Sequence, residues 1–295
     1  LQAQGWRGAL LTRGYRSQRD DGGATGMSDG QRVLLSAEEG GDEACLMARS
    51  LPGIPVLVGR KRALGGRLAV ERFGTQVLIL DDGFQHWQLY RDLDIVLVDG
   101  TNPFGNGHVL PRGILREPME QLGRADAFII TKGDQITQDR AEAIAAKLHQ
   151  YNPAAPVAMA IHKPSSCLAF AAWHDGKGHG SGALQPDGQS VLAVSALGNP
   201  ASFERTLADA GFIVAGSLRY EDHHHYSRDD IRHMAARAAE TGCLLVTTEK
   251  DAVKLPAPLI KEYDLPLYVL SITIEFTAGQ DQIDTILQAV LEDKL

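Results

Sequence analysis

The chain has 295 residues, 44% hydrophobic and 22% charged, enough for one large or two medium domains with the balance of an ordinary globular protein. A net charge of -8 argues against a general nucleic-acid binder, so no nucleic acid is expected as a partner; a phosphorylated substrate stays open, because a few local arginines suffice to recognise phosphate. Cys45, Cys167 and Cys243 stand singly without paired spacing, which supplies neither a disulfide framework nor a zinc site, and no apolar run approaches the roughly 18 residues that cross a bilayer.

The opening "LQAQG" reads as the last turn of a helix with a glycine stop, followed by a strand at 8–11. With Leu1 in place of an initiator methionine, the expectation is a chain that continues upstream. Short Val/Ile/Leu strands then alternate with helical patterns, the signature of a parallel sheet covered by helices. Strands are expected at 55–58, 77–80, 95–98 and 127–131, and helices at 42–50, 60–73 and 138–150. A proline-punctuated extended stretch follows at 151–165, then the glycine-rich "WHDGKGHGSGALQPDGQ", read as a surface hairpin or loop.

A second α/β unit comes next: "SVLAVSALGNP" as strand and turn, "PASFERTLADAGF" as an amphipathic helix, and "CLLVTTEKDAVKL" as a strand with a charged mouth. "LPLYVLSITIEF" suits pairing with "VAMAIHKP", making 156–164 and 265–276 a two-stranded linker. The expected division is therefore a first α/β domain at 1–155, that linker, a smaller C-terminal α/β domain at 165–264, and a terminal helix within 277–295 that packs back on the first domain.

Candidate chemistry sits where apolar strands end. "LILDDG" closes with Asp81 and Asp82, two adjacent like charges that invite a cation, in the arrangement by which a strand-end carboxylate holds magnesium. Either aspartate reads equally as a turn or helix cap. Asp42 in "GGDEA" reads as an N-cap or as a general base with backbone room beside it. In "YEDHHHYSRDD", consecutive histidines point in different directions, so one histidine acting on chemistry or pairing with a carboxylate is favoured over a zinc site. "TTEKDAVKL" either holds a phosphate or braces the loop before a helix. Basic residues gather at Arg60, Lys61, Arg62 and Arg67, and again at Arg112 and Arg116 in a Gly- and Pro-rich loop that suits ligand contact. "TKGD" at 131–134 mimics a guanine-reading motif, the basis for a weaker GTPase-like reading. No stretch fits the phosphate loop G-x-x-x-x-G-K-[ST], which is expected upstream of Leu1.

In this order the motifs resemble the tetraacyldisaccharide 4'-kinase (lipid A 4'-kinase) family: "RGYR" at 13–16, "GDEA" at 41–44, "LDDGFQH" at 80–86, "DIVLVDG" at 94–100, "GNGHVLPRGILREP" at 105–118, "EDHHHY" at 221–226 and "TTEKDAVKL" at 247–255. The resemblance covers nearly the whole chain, and its "DDGFQH" with the "LREP" loop is highly specific. It implies a P-loop kinase-like parallel-sheet domain plus a smaller α/β domain on a two-stranded linker. It also implies transfer of the ATP γ-phosphate to the 4'-hydroxyl of an acylated glucosamine disaccharide 1-phosphate. ATP and Mg2+ are the implied cofactors.

In the same resemblance, Asp42 is the base and His223 its partner across a domain cleft that closes. Asp81 and Asp82 are the magnesium carboxylates, with Glu43 close by. Arg13, Tyr15, Gln85, Asn106 and Arg116 are implied substrate contacts. The family also implies peripheral contact with the cytoplasmic face of a Gram-negative inner membrane through the N-terminus. The alternative reading is an inactive fragment or lipid-sugar-binding module without the nucleotide site.

Overall fold

The structure, a computed structural model, describes residues 1–14, 23–176 and 183–293. After a 3-10 turn at Gln2–Gln4, closed by Gly5 at φ 85°, the first half runs β1 (Gly8–Thr12), β2 (Thr25–Ser28), α1 (Ala37–Gly40), α2 (Asp42–Ser50), β3 (Val56–Val58), α3 (Arg62–Phe73) and β4 (Val77–Leu80). It continues with β5 (Ile95–Asp99), β6 (Ala127–Thr131), α4 (Gln138–His149) and β7 (Val157–Ala169). The second half runs α5 (Phe170–His174), β8 (Ser190–Ser195), α6 (Pro200–Asp209), β9 (Ile213–Arg219), α7 (Arg228–Thr241), β10 (Leu244–Thr248), α8 (Glu249–Ala252), α9 (Ala257–Glu262), β11 (Leu267–Ala278) and α10 (Gln280–Glu292).

The strands expected at 77–80 and 127–131 and the helix at 42–50 match β4, β6 and α2 residue for residue. The helix expected at 60–73 starts two residues later, at Arg62. Trp173 and His174, read as loop, instead end the short helix α5, held by Phe170 in the core. β2, β9 and α7 lie outside the elements expected from the sequence.

Two compact units emerge, one of residues 1–85 and 164–271 and the other of 86–163 and 272–295. In the first, a four-stranded sheet has the order β2-β3-β1-β4, with β1 parallel to both β3 and β4 and β2 antiparallel at the edge. Alternate side chains serve opposite faces. Leu10, Val56 and Val58 pack with Ala44, Cys45 and Ala48 of α2, while Ala9, Leu11 and Leu57 pack with Ala69 of α3. A Cβ on Gly66 would lie 2.9 Å from Leu78 Cδ1, so glycine lets α3 approach β4 closely. The same unit holds the parallel run β11-β10-β8-β9. Ile231 and Met234 of α7 cover one face of it, and Phe203 and Leu207 of α6 cover the other.

In the second unit, β5, β6 and β7 are parallel and β11 follows β7. Thr273 Oγ1 donates to the Lys163 carbonyl and Thr277 Oγ1 to that of Met159, so contacts ascend β11 as they descend β7 and the pair is antiparallel. Lys163 and Glu275 form an ion pair at 2.6 Å on this ribbon. Ile283 of α10 packs on Ala127, Ile129, Ala158 and Ala160.

Candidate active site

The first unit gathers two polar groups at the ends of its elements. At the carboxyl end of β4, Asp81 is held by its neighbours: its N–H donates to the Leu11 carbonyl at 2.9 Å, and its Oδ2 accepts from Thr12 Oγ1 at 2.9 Å. Arg62, only 4% exposed at the start of α3, donates from Nη2 to the Asp81 carbonyl at 3.1 Å and from Nη1 to that of Gly59 at 2.7 Å. Burial pulls the pKa of this guanidinium down, the charges of Asp81 and Asp82 oppose that, and nearby Arg13 adds to it. Arg13, Arg62, Asp81 and Asp82 therefore share one electrostatic neighbourhood. Asp82 adopts φ 49°, a left-handed backbone that a non-glycine residue takes only when its surroundings impose it.

The second group forms around the start of α2. Gly41, at φ 96°, occupies the N-cap position and Asp42 is the first helical residue, so Asp42 is not the N-cap. Its Oδ1 accepts the Glu43 N–H at 3.0 Å, and its Oδ2 faces His223 Nδ1 at 2.8 Å. Because an ionised carboxylate only accepts, this geometry assigns the proton to Nδ1. The two side chains are 9% and 12% exposed, so the pair works in a largely desolvated setting.

The histidine run diverges as adjacent residues must. His224 stacks on Tyr220 with ring centroids 4.8 Å apart, meets Tyr226 edge-on, and places Nε2 3.0 Å from Asp230. That packing anchors the loop, while His223 at φ 62° turns the other way toward Asp42. Beside it, Lys250 Nζ lies 3.3 Å from Glu43 and 3.7 Å from Asp222.

The remaining sequence-derived residues fall in both units. Gln85 is half-buried and Arg13 exposed in the first unit. In the second unit, Asn106 Nδ2 donates to the Arg112 carbonyl at 2.8 Å and its Oδ1 accepts the His108 N–H, so its amide braces its own loop. Arg116 is exposed on the following segment. Tyr15 lies outside the described residues. Among the described residues no three His, Cys, Asp or Glu side chains cluster to hold a metal. The oxygen-only donors Asp81 and Asp82 nonetheless fit magnesium, which commonly takes one or two carboxylates and fills its shell with water and phosphate.

Thr12 and the structural role of Arg62 stand outside the candidates expected from the sequence. The signal for Thr12 was a hydroxyl ending a strand beside one that ends in Asp-Asp. For Arg62 it was a charged side chain opening a glycine-rich helix.

The profile of the family described as Tetraacyldisaccharide-1-P 4'-kinase (LpxK) matches residues 1–292. The chain belongs to this family. The tetraacyldisaccharide 4'-kinase of Anaeromyxobacter dehalogenans strain 2CP-C is 42% identical to it over 289 residues, covering 97% of this chain and 74% of that protein. The Halothermothrix orenii kinase of the same description is 39% identical, over 93% of this chain and 74% of that protein. In structure, the chain is similar to an "apo" form of LpxK from Aquifex aeolicus crystallised in complex with ATP. The TM-score is 0.71 and the identity 27%, over 98% of this chain and 80% of that one.

Proposed function

We propose that this 4'-kinase family member transfers the γ-phosphate of ATP to the 4'-hydroxyl of a tetraacylated glucosamine disaccharide 1-phosphate, with Asp42 as the base. The observation that carries the reading is the 2.8 Å pair of Asp42, at the start of α2, and His223, from the loop before α7, both side chains largely withdrawn from solvent. Phosphoryl transfer needs positioning and charge stabilisation more than covalent help. Asp42 accepts the proton as the hydroxyl oxygen forms its bond to the γ-phosphorus. The bond to the bridging oxygen breaks, and ADP leaves with the electron pair. His223 holds the carboxylate in one orientation through Nδ1–H.

Asp81 and Asp82 are the residues that would hold magnesium, which when bound neutralises charge on the phosphates. Thr12 fixes the Asp81 carboxylate in place for that role. Glu43 lies next to the base, and Arg13, Tyr15, Gln85, Asn106 and Arg116 are assigned to substrate contact by the motifs they occupy. The linker at 156–164 and 265–276 belongs to the same reading, supported by β7 and β11 being long neighbouring strands.

Peripheral attachment to the cytoplasmic face of the inner membrane is likewise proposed, on the lipid nature of the substrate; among the described residues no helix is long and apolar enough to cross a membrane. A purely binding module is less favoured, because recognition alone does not require a desolvated carboxylate–imidazole pair.

The test is transfer from Mg-ATP to the tetraacyldisaccharide 1-phosphate. The protein is assayed as residues 1–295 and together with any coding sequence upstream of Leu1 in the same frame. A product carrying its new phosphate on the 4'-oxygen, competed by ATP analogues but not GTP, supports the reading; no transfer by either protein overturns it.

A further inference from the structure

The segment "TTEKDAVK" that leaves β10 is built as a rigid mount, with Val253 packed on the α2 cluster, and one of its polar side chains is not used in building it. Thr247 Oγ1 donates to the Val194 carbonyl at 2.9 Å. Thr248 Oγ1 donates to Asp251 Oδ2 at 2.9 Å while accepting the Asp251 N–H, which caps α8. Asp251 is completely buried, and its Oδ2 also accepts the Ala196 N–H at 3.1 Å, tying the end of β8 to the same point. Lys254 neutralises it at 2.9 Å. Glu249 accepts from Trp173 Nε1 at 3.1 Å and from Ser271 Oγ at 2.9 Å. Lys250 remains, and it reaches outward to Glu43 at 3.3 Å and Asp222 at 3.7 Å.

Those two carboxylates are the chain neighbours of Asp42 and His223, so Lys250 touches both elements that supply the pair. Asp42 and Asp222 put two negative groups against one imidazole, Asp42 Oδ2 at 2.8 Å from His223 Nδ1 and Asp222 Oδ2 at 3.8 Å from Nε2. Lys250 places a cation between Glu43 and Asp222, whose like charges otherwise disfavour close approach of the α2 terminus and the 221–225 loop. We propose that Lys250 is a positioning residue for the transfer reaction: it clips the start of α2 to the histidine loop and so sets the Asp42–His223 geometry. This rests on the kinase reading of that pair. Misplacing a base by a fraction of its hydrogen-bond length costs rate rather than substrate affinity, so the clip acts on kcat.

The experiment compares wild type, Lys250→Met and Lys250→Arg by hydrogen exchange and by the transfer assay. Lys250→Met is expected to speed exchange in residues 40–47 and 220–226 together while leaving 190–195 unchanged. It is expected to lower kcat about tenfold or more with the KM for ATP unmoved. Lys250→Arg, which keeps the charge and reach, is expected to restore most of both. Wild-type exchange and kcat in Lys250→Met overturn the proposal, as does exchange that rises throughout the unit without rescue by arginine. If wild type itself transfers nothing, the kinase reading fails, and the exchange pattern still decides whether Lys250 is the clip.

Discussion

The hydroxyl of Thr12 donates to Asp81 Oδ2 at 2.9 Å, joining the carboxyl ends of the adjacent parallel strands β1 and β4. In open parallel sheets ligands bind beyond such ends, so this bond orients a carboxylate where charged substrate is expected. Thr12→Val keeps the shape and removes the donor. Stability should change by about 1 kcal/mol or less, while the magnesium concentration needed for half-maximal transfer rises several-fold. Thr12→Ser should stay near wild type in both. A magnesium titration of the transfer rate alongside thermal melts checks this.

Arg62 bonds two backbone carbonyls from a buried position. Arg62→Met leaves the carbonyls of Gly59 and Asp81 without those donors and is expected to cost about 2–3 kcal/mol. Urea denaturation with an unchanged slope should report it as a lower midpoint.

Asp230 closes a capping box at the start of α7, accepting from the Ser227 N–H and hydroxyl at 2.7 Å each. Burial raises its pKa, but the Ser227 bonds and the charge of His224 outweigh that and leave it below the ordinary 3.8. A carboxyl depressed on folding adds stability in full above its unfolded value and loses it as pH falls through the folded one. Asp230→Asn should therefore weaken the protein by roughly 0.5–1 kcal/mol at neutral pH and make its stability flatter below about pH 4. Melting curves from pH 2.5 to 7 give the comparison.

Burial pushes the Cys167 thiol up to about 12 and raises that of Cys45, while Cys243 is buried as well. Thiolate is the reactive form, so iodoacetamide at pH 7.5 should leave Cys45 and Cys167 unmodified in the native protein and label them in urea. Mass spectrometry of the peptides reads the outcome directly.

Much of the fold was legible because its strands are short apolar runs bounded by turn residues, and 77–80 and 127–131 could be read to the residue. What stayed hidden follows from weaker signals. β9 carries small and polar residues in "IVAGSLR" and alternates between half-buried and exposed positions. Helix α7 is dense in charge, yet its Ser227–Asp230 box and the spacing of Ile231, Met234 and Ala238 announce it in retrospect.

At the site, chemistry-bearing residue types pointed to Asp42, Asp81, Asp82 and the histidine run. The contact of Asp42 with His223 is separated by 181 positions. No local pattern encodes it, and only the motif resemblance suggested it. Lys250 was hidden for a different reason: its neighbours in the segment share its polarity but build the mount instead.

Removing the proposed base tests the account most directly. Single-turnover transfer to the tetraacyldisaccharide 1-phosphate is measured for wild type and Asp42→Asn, with melting temperature and ATP affinity recorded for both. The account predicts a fall of about 10³-fold in the rate of transfer with ATP affinity and fold intact. A rate within about tenfold of wild type would contradict it and return Asp42 to a structural role at the start of α2.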